Sequence, residues 1–149
     1  MALVDTVRTI LKGKGSHVWS LAPDATVYEA IVMMAEKGVG ALPVVSGGKP
    51  IGMLSERDYA RKVVLKGKSS RDTKLAEIMA SPVITVTPDQ TVDECMRIMT
   101  HHRIRHLPVM DGDTLAGVVS IGDLVNSIIS AQAATIDQLH SYIAGKYPG

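Results

Sequence analysis

The sequence is poor in aromatic residues and nearly free of cysteine. It has no phenylalanine, and aromatic side chains make up 3% of its 149 residues, so any core must be aliphatic. Cys95 is the single cysteine, which excludes a disulfide framework and a thiolate metal cluster. The N-terminal segment does not resemble a secretory signal, and the apolar runs are shorter than the ~18 residues of a membrane span. We therefore expect a soluble, cytoplasmic protein without a membrane partner.

The chain also lacks an excess of charge of either sign. Lysine and arginine total 16 against 15 acidic residues, for a formal net charge of +1. Because no basic run could follow a phosphate backbone, the sequence does not favour a nucleic-acid partner. Apolar residues at 46% and charged residues at 21% are typical of a globular protein. The length suits one domain or two small ones that share a core.

What the sequence does contain is an internal duplication. Residues 18–58 align without a gap on residues 83–123, an offset of 65. Such a long alignment without an insertion indicates two copies of one structural unit. Identical pairs include Pro23 and Pro88, Asp24 and Asp89, Leu42 and Leu107, Pro43 and Pro108, Ser55 and Ser120, and Asp58 and Asp123.

Each repeat is predicted to follow the order β-α-β-β-α. The first strands are predicted at 18–21 and 83–86, and each ends at a Pro-Asp turn. Thr26 and Thr91 are predicted helix N-caps, each followed three residues later by a glutamate that completes a capping box. A hairpin with a glycine turn follows, and its return strand runs into a second helix at Ser55 or Ser120. The fold class is α/β (α+β), with tandem repeats packed as a pseudo-two-fold pair.

Four segments are predicted along the chain. The first repeat with its lead-in covers 1–65, a linker with a lead-in helical turn covers 66–82, and the second repeat covers 83–130. A helical tail covers 131–149. Apolar residues at helical spacing predict that this end of the chain packs on the domain or on another subunit. These residues are Ile129, Ile136, Leu139 and Ile143.

A serine and an aspartate stand at each junction between return strand and helix, in "SERD" (55–58) and "SIGD" (120–123). One interpretation is a capping box, which stabilises a helix by about 1 kcal/mol. The other is a nucleotide site, because a helix N-terminus suits a phosphate and an acidic side chain can accept both ribose hydroxyls. The pattern of residues leaves both interpretations open.

The doubled β-α-β-β-α unit, the "LPV" strand and the "G-x-x-S-x-x-D" ending resemble the cystathionine β-synthase (CBS) domain pair, or Bateman module. The resemblance covers about residues 14–130 and is closest to the stand-alone bacterial and archaeal type. It implies a non-enzymatic regulatory module that binds an adenine nucleotide (AMP, ADP, ATP or NAD) in two clefts between the repeats. It also implies a homodimer of such pairs and an output through oligomeric state or through an effector protein in trans.

The resemblance also assigns residues to each cleft. In the first cleft Asp58 and Ser55 would hold the ribose, beside Arg57 in the same loop. In the second cleft Asp123 and Ser120 would do so, beside Gly122. Adenine contacts are expected from residues near the opposite repeat's first strand and just before "LPV". For the first cleft these are Ser81, Pro82, Ile104 and Arg105, and for the second cleft Ser16, His17, Val39 and Gly40. Phosphates are expected at Arg105 and His106.

The two clefts are predicted to differ. Glu56 and Arg57 in the first loop correspond to Ile121 and Gly122 in the second, and Gly40 aligns with Arg105. We therefore expect the clefts to prefer different ligands, with a mononucleotide in one and a larger or more highly phosphorylated molecule in the other.

Other polar clusters have simpler interpretations. Cys95 falls on the apolar face of a helix and is expected to be a buried, inert thiol. The histidines of "HHRIRH" (101–106) are interpreted as helix-end cations or phosphate ligands rather than metal ligands. The two "KGK" segments (12–14 and 66–68) are predicted to be solvated loops. Two alternative functions remain: an enzyme that processes nucleotide phosphates, and an interaction module with vestigial clefts.

Overall fold

The computed structural model describes residues 5–15 and 17–143. Helices and strands follow nearly the same order twice along these residues. They are α1 (Val7–Lys14), α2 (Val27–Lys37), β1 (Ala41–Ser46), β2 (Lys49–Ser55), α3 (Glu56–Asp58) continued by a π-helix (Tyr59–Val64), α4 (Leu75–Ile78), α5 (Val92–His102), β3 (His106–Asp111), β4 (Thr114–Ser120) and α6 (Ile121–Ile143). The duplication of sequence is therefore a duplication of structure.

The helices α2 and α5 begin at the predicted caps. Thr26 Oγ1 accepts a hydrogen bond from the backbone N–H of Glu29 at 3.1 Å, and Thr91 Oγ1 accepts one from Glu94 at 3.0 Å. These bonds satisfy N–H groups that have no partner within the first turn. The helix starts predicted from the sequence are confirmed, but the glutamate side chains do not return a hydrogen bond to the threonine N–H, so the predicted capping boxes are only half formed.

Each repeat contains one antiparallel hairpin, β1 with β2 and β3 with β4. The hairpins share their register, because Leu42 pairs with Leu54 and Leu107 pairs with Val119. They also share one irregularity, which lies after Val44 in β1 and after Val109 in β3. In β1 and β3 consecutive residues are buried, whereas in the return strands β2 and β4 buried residues alternate with less buried ones, so one face of each return strand is turned toward the core.

The first strands predicted at 18–21 and 83–86 are shorter than expected. Each is a single parallel bridge, Leu21 to Val44 and Val86 to Val109. Pro23 and Pro88 follow two residues later, and a proline has no N–H with which to extend the ladder. The prediction of strands at these places was therefore wrong in extent, although the pairing sites are in the predicted segments.

The lead-in helices pack on opposite repeats. Val7 of α1 belongs to the buried core of the second repeat, with Val92, Leu107 and Leu124. Leu75 and Ile78 of α4 belong to the core of the first repeat. Each repeat therefore completes its core with a helix that precedes the other repeat in the chain.

Both cores are aliphatic, as the composition requires. Cys95 is fully buried in the second core, and this burial, together with the charge of Glu94, raises the pKa of its thiol to about 11. A thiol with that pKa stays protonated near neutral pH and is a poor nucleophile. The predicted burial of Cys95 is confirmed, and the raised pKa favours the predicted lack of reactivity.

The helix α6 extends well past the second core. Leu124 is fully buried, whereas Ile129, Ile136 and Leu139 are each more than half exposed. The tail predicted to be helical from residue 131 is helical as far as Ile143. The first of the two predicted packing modes, against the domain itself, does not apply to these three side chains, and the side chain of Ile143 lies outside the described part of the structure.

Candidate functional site

The Ser-x-x-Asp sequences form two closely matching capping boxes. Oδ2 of Asp58 accepts hydrogen bonds from the backbone N–H of Ser55 at 3.0 Å and from its hydroxyl at 3.0 Å, while Asp58 N donates to Ser55 Oγ at 3.2 Å. In the second repeat Ser120 N donates to Asp123 Oδ2 at 2.8 Å, and Asp123 N donates to Ser120 Oγ at 3.1 Å. The capping interpretation is therefore confirmed, and each carboxylate is held in place at a strand-to-helix junction.

A cleft with a volume of about 400 Å³ opens beside the first box. We call it the first cleft, as in the sequence-based assignment. Both repeats and the segment that joins them contribute to its walls. The lining residues are Gly40, Ala41, Met53, Ser55, Glu56, Arg57, Asp58, Arg61, Ala80, Pro82, Val83, Ile84, Arg103, Ile104, Arg105 and His106.

Four arginines line this cleft against two carboxylates. Arg57 and Arg61 come from the segment that follows β2, and Arg103 and Arg105 precede β3. The acidic groups are Glu56 and Asp58, and Asp58 Oδ1 lies 3.4 Å from Lys62 Nζ. The charge of the lining is therefore positive, which favours an anionic ligand.

Arg103 has an unusual backbone for a residue with a side chain. It is the C-cap of α5 with φ at 56°, in the left-handed region, where the corresponding residue of the first repeat is Gly38 with φ at 66°. A non-glycine residue in this conformation is strained by about 1 kcal/mol. The second repeat therefore tolerates strain at a position that lines the first cleft.

The region around Asp123, which we call the second cleft as in the sequence-based assignment, is arranged differently. Nζ of Lys14, at the end of α1, lies 2.8 Å from Asp123 Oδ2 and 2.9 Å from the carbonyl oxygen of Val118. The carboxylate that would accept ribose hydroxyls thus holds an ammonium group of the same chain. Burial raises the pKa of Asp123, but the hydrogen bonds from Lys14 and Ser120 outweigh it and lower that pKa below its ordinary value.

The different ends of the two lead-in helices explain this asymmetry. The helix α4 ends at Ile78, and the following Ala80 pairs with Met53 of β2 through two backbone hydrogen bonds of 2.8 and 3.1 Å. The helix α1 continues to Lys14, whose side chain reaches Val118, the residue that corresponds to Met53. A lysine side chain thus takes the place that main chain occupies in the first repeat.

His106 lies between the two clefts. It lines the first cleft, and its charged neighbours include Lys14 and Asp123 of the second as well as Glu56 and Arg105. Burial is the largest cause of its lowered pKa, and Lys14 and Arg105 lower it further against the opposite effect of the two acids. His106 is therefore mainly neutral at neutral pH and is a hydrogen-bonding group rather than a fixed charge.

Most residues assigned to the first cleft lie together. Ser81 differs, because its hydroxyl donates to the carbonyl of Ile51 at 3.2 Å and it does not line the cleft. The residues that meet there as assigned are Ser55, Arg57, Asp58, Pro82, Ile104, Arg105 and His106.

The residues assigned to the second cleft do not lie together as those of the first cleft do. Gly40 lines the first cleft instead, with His106 Nε2 and Glu56 Oε1 nearby. Val39 packs against the first core, and the ring of His17 stacks on Trp19 with centroids 5.6 Å apart. Gly122 lies in the α6 turn that contains Asp123, and Ser16 falls outside the described residues.

Sequence reasoning missed three basic residues of the clefts. Lys14 was assigned to a solvated loop in "KGK", but residues 12–14 are helical and the side chain is bound, so that prediction was wrong. Arg61 follows Asp58 by about one helical turn, a spacing that could have drawn attention to it. Arg103 aligns with Gly38, so an arginine at a glycine position was the available signal.

Two negative findings complete the site. Within the described residues no group of three or more His, Cys, Asp or Glu side chains could hold a metal ion. In the same part, no helix is both long and apolar enough to cross a membrane.

Comparison with known proteins gives the family. The model of the CBS domain matches residues 15–65 and 75–130 of this chain. The chain is 40% identical to the CBS domain-containing protein CBSX3, mitochondrial, of Arabidopsis thaliana, over 95% of this chain and 73% of the relative. It belongs to the CBS-domain family, and the resemblance stated from the sequence is confirmed.

Solved structures agree with this assignment. A protein with CBS domains from Burkholderia ambifaria MC40-6 superimposes with a TM-score of 0.80 at 52% identity, covering 85% of this chain and 95% of that one. The CBS domain pair of protein MJ0100, solved in complex with 5′-methylthioadenosine and S-adenosyl-L-methionine, has a TM-score of 0.76 at 25% identity. It covers 86% of this chain and 98% of that one. The predicted fold class is confirmed.

Proposed function

We propose that this CBS-domain pair is a non-enzymatic regulatory module that binds an adenine nucleotide in the first cleft. The observation that carries the proposal is the cleft of about 400 Å³ in which the Ser55–Asp58 box faces four arginines. Its volume lies in the range of small-molecule sites. A relative, protein MJ0100, is described with two adenosine compounds bound, which supports an adenosine ligand here.

The Ser55–Asp58 box and the apolar wall of the cleft suit different parts of an adenine nucleotide. Asp58 is fixed by Ser55, so its carboxylate is ready to accept ribose hydroxyls without reorganisation. Pro82, Val83, Ile84 and Ile104 form the apolar surface that the flat adenine ring needs. We assign the ribose to the box and the base to this apolar wall.

The arginines select among adenosine ligands by charge. A single phosphate carries about −2 at neutral pH, so AMP alone would balance the excess of two arginines over carboxylates. The further phosphates of ADP and ATP exceed this balance, and their contribution to affinity is the further oxygens that accept paired hydrogen bonds from the guanidinium groups. We therefore expect ATP and ADP to bind better than AMP, and neutral adenosine to bind worst.

Regulation follows from the position of the cleft. Its walls come from both repeats and from the segment 80–84 between them, so a bound nucleotide contacts parts of the chain that are far apart in sequence. A ligand that prefers one relative arrangement of these parts shifts the population toward it. The output would reach an effector protein in trans or a homodimer of these pairs, in the cytoplasm.

The direct test is a calorimetric titration of the protein with adenosine, AMP, ADP and ATP. We expect affinity to rise along that series and to fall at least tenfold for ATP in Asp58→Asn, which keeps the size of the side chain. The matched control is Asp123→Asn, in the corresponding box of the second repeat. Equal affinity for adenosine and ATP, or ATP binding unchanged in Asp58→Asn, would overturn the proposal.

The enzymatic alternative has its own check. A nucleotide-processing enzyme would convert ATP during a long incubation, whereas a sensor would return it intact. Product analysis by chromatography, on the same samples that were titrated, separates the two. Recovery of ADP or AMP in proportion to protein concentration, and its loss in Asp58→Asn, would favour the enzyme.

A further inference from the structure

Lys14 stands where the second cleft would receive a ribose. Its Nζ lies 2.8 Å from Asp123 Oδ2, and the side chains of Lys14 and Asp123 are 41% and 20% exposed. Nζ also donates to the carbonyl of Val118 at 2.9 Å, so two acceptors fix the ammonium group. An exposed ion pair with one acceptor would be weak, but a charge-assisted hydrogen bond held at two points is stronger.

The position of α1 makes this contact part of the fold. Val7 is fully buried in the second core, and Leu11 lies against Gly117 of β4, so the helix is anchored along its length. Lys14 follows Leu11 by three residues, on the same side of the helix. Because α1 is held in this position, the ammonium group of Lys14 lies against Asp123 rather than in solvent.

Among the described residues, no lysine of a lead-in helix contacts the capping box of the first cleft. There the lead-in helix α4 is short, and Ala80 meets β2 through its main chain. Within the described residues, the salt-bridge partner of Asp58 is Lys62, one turn further along its own helical segment, at 3.4 Å from Oδ1. That lysine contacts the oxygen that the capping box does not use, whereas Lys14 contacts the oxygen that the second box does use.

We propose that Lys14 occupies the second cleft in the absence of ligand, so that a nucleotide binds in the first cleft before it binds in the second. This proposal rests on the proposed function. A nucleotide fills the first cleft at low concentration. It enters the second cleft only by displacing Lys14 from Asp123, which frees the end of α1. Lys14 thus determines specificity between two sites that have the same Ser-x-x-Asp sequence.

The consequence is a two-step response to ligand. The first step leaves α1 in place, and the second releases its last turn from the second repeat. The anchoring residues Val7 and Leu11 precede Lys14, so the release affects the end of the helix and the chain after it. A protein that senses nucleotide over a wide concentration range would use these two steps as two thresholds.

The test measures ATP binding by calorimetry and native mass spectrometry on four forms of the full chain. These are the unchanged protein, Lys14→Ala, Lys12→Ala as a control on the same helical turn, and Asp58→Asn/Lys14→Ala. We expect two unequal sites in the unchanged protein and in Lys12→Ala. In Lys14→Ala the weaker site should tighten by about five- to tenfold, since the competing ammonium is gone. The double variant should keep one site, the tightened one.

The outcomes separate this proposal from the proposed function. If the unchanged protein binds ATP and Lys14→Ala leaves the weaker site unchanged, this inference fails and the first-cleft site stands. Weaker binding in Lys14→Ala would mean that Lys14 contacts the ligand, which also overturns it. If Lys14→Ala tightens the weaker site but Asp58→Asn/Lys14→Ala still binds ATP at both sites with the affinities of Lys14→Ala, the assignment of the first cleft fails and the role of Lys14 stands. Absence of ATP binding in every form overturns both.

Discussion

Leu42 and Leu107 occupy corresponding positions in β1 and β3, and both are almost completely buried. Asp58 and Asp123 also correspond, yet one faces a cleft lined by arginines and the other holds a lysine. The cores of the two repeats are thus alike and their clefts are not. Core positions change little after a duplication because packing constrains every neighbour, whereas a cleft residue can change with little cost to packing.

The difference between the clefts comes from the lead-in segments as well as from the repeats themselves, in which Arg57, Arg103 and Arg105 align with Gly122, Gly38 and Gly40. The boxes have matching hydrogen bonds, but α1 ends in Lys14 and α4 is followed by Ala80. Because each lead-in helix packs on the other repeat, residues outside the aligned ranges also decide what each cleft can hold. The two copies of a duplicated unit can thus come to differ in ligand through their lead-in segments, in addition to substitutions within the copies.

The first prediction tests the likeness of the cores. Leu42→Ala and Leu107→Ala each remove a fully buried side chain, and we expect each to lower the free energy of unfolding by about 2–5 kcal/mol. Urea denaturation measures both values. The exposed Leu65→Ala, at 77% exposure, is the control and should change stability by less than about 0.5 kcal/mol. A difference of several kcal/mol between the two core variants would contradict the equivalence of the repeats.

The second prediction tests the difference between the lead-in contacts. A Cβ added at Gly52 would lie 2.6 Å from Met79 Sδ and 3.0 Å from the carbonyl oxygen of Ala80, whereas one at Gly117 would lie 2.7 Å from Leu11 Cδ2. The tip of a leucine can move, but the backbone of Ala80 is held by its pairing with Met53. We expect Gly52→Ala to cost about 1–3 kcal/mol, as overpacked sites do, and Gly117→Ala to cost less.

Thermal unfolding of the two glycine variants, side by side, checks this order. The same samples can be titrated with ATP, because Ala80 also lines the first cleft. Gly52→Ala should weaken ATP binding, and Gly117→Ala should leave the first site unchanged. A larger loss of stability in Gly117→Ala would show that α1 is held more rigidly than α4, contrary to the arrangement described here.

The local sequence was enough to predict the elements that depend on near neighbours. The caps at Thr26 and Thr91 and the Ser-x-x-Asp boxes each involve residues three apart, so their patterns are visible in the sequence. The glycine turn between two short strands in each repeat predicted the two hairpins. The family resemblance then placed most of the first cleft, including Arg105 and His106.

What the sequence could not show are contacts between distant segments. Lys14 and Asp123 are 109 residues apart, and their contact depends on α1 crossing to the second repeat. No local pattern in the sequence shows that each lead-in helix packs on the opposite repeat. The segment "KGK" (12–14) was therefore judged by its composition, which is typical of a loop. The family resemblance assigned Gly40 to the second cleft, whereas it lines the first, because the way in which the repeats face each other decides which cleft this residue meets.

The third prediction concerns Arg103 and Gly38, the pair of C-caps at which the repeats differ in chemistry. Both adopt positive φ, at 56° and 66°. Arg103→Gly should relieve strain of about 1 kcal/mol, partly offset by the greater flexibility of glycine in the unfolded chain, for a net gain of about 0.5 kcal/mol in stability. The same change removes one of four arginines from the first cleft, so affinity for ATP should fall about threefold or more.

The reverse substitution, Gly38→Arg, is the matched control for Arg103→Gly. It adds an arginine in the same backbone conformation, in the other repeat, and should lower stability by a similar amount without improving ATP binding at the first cleft. Thermal unfolding and ATP titration of each variant measure its stability and its affinity for ATP. If Arg103→Gly gains stability and keeps full ATP affinity, Arg103 does not contribute to ATP binding. The charge argument for the first cleft would then rest on three arginines. If it gains stability and loses affinity, the strain at Arg103 is retained for binding.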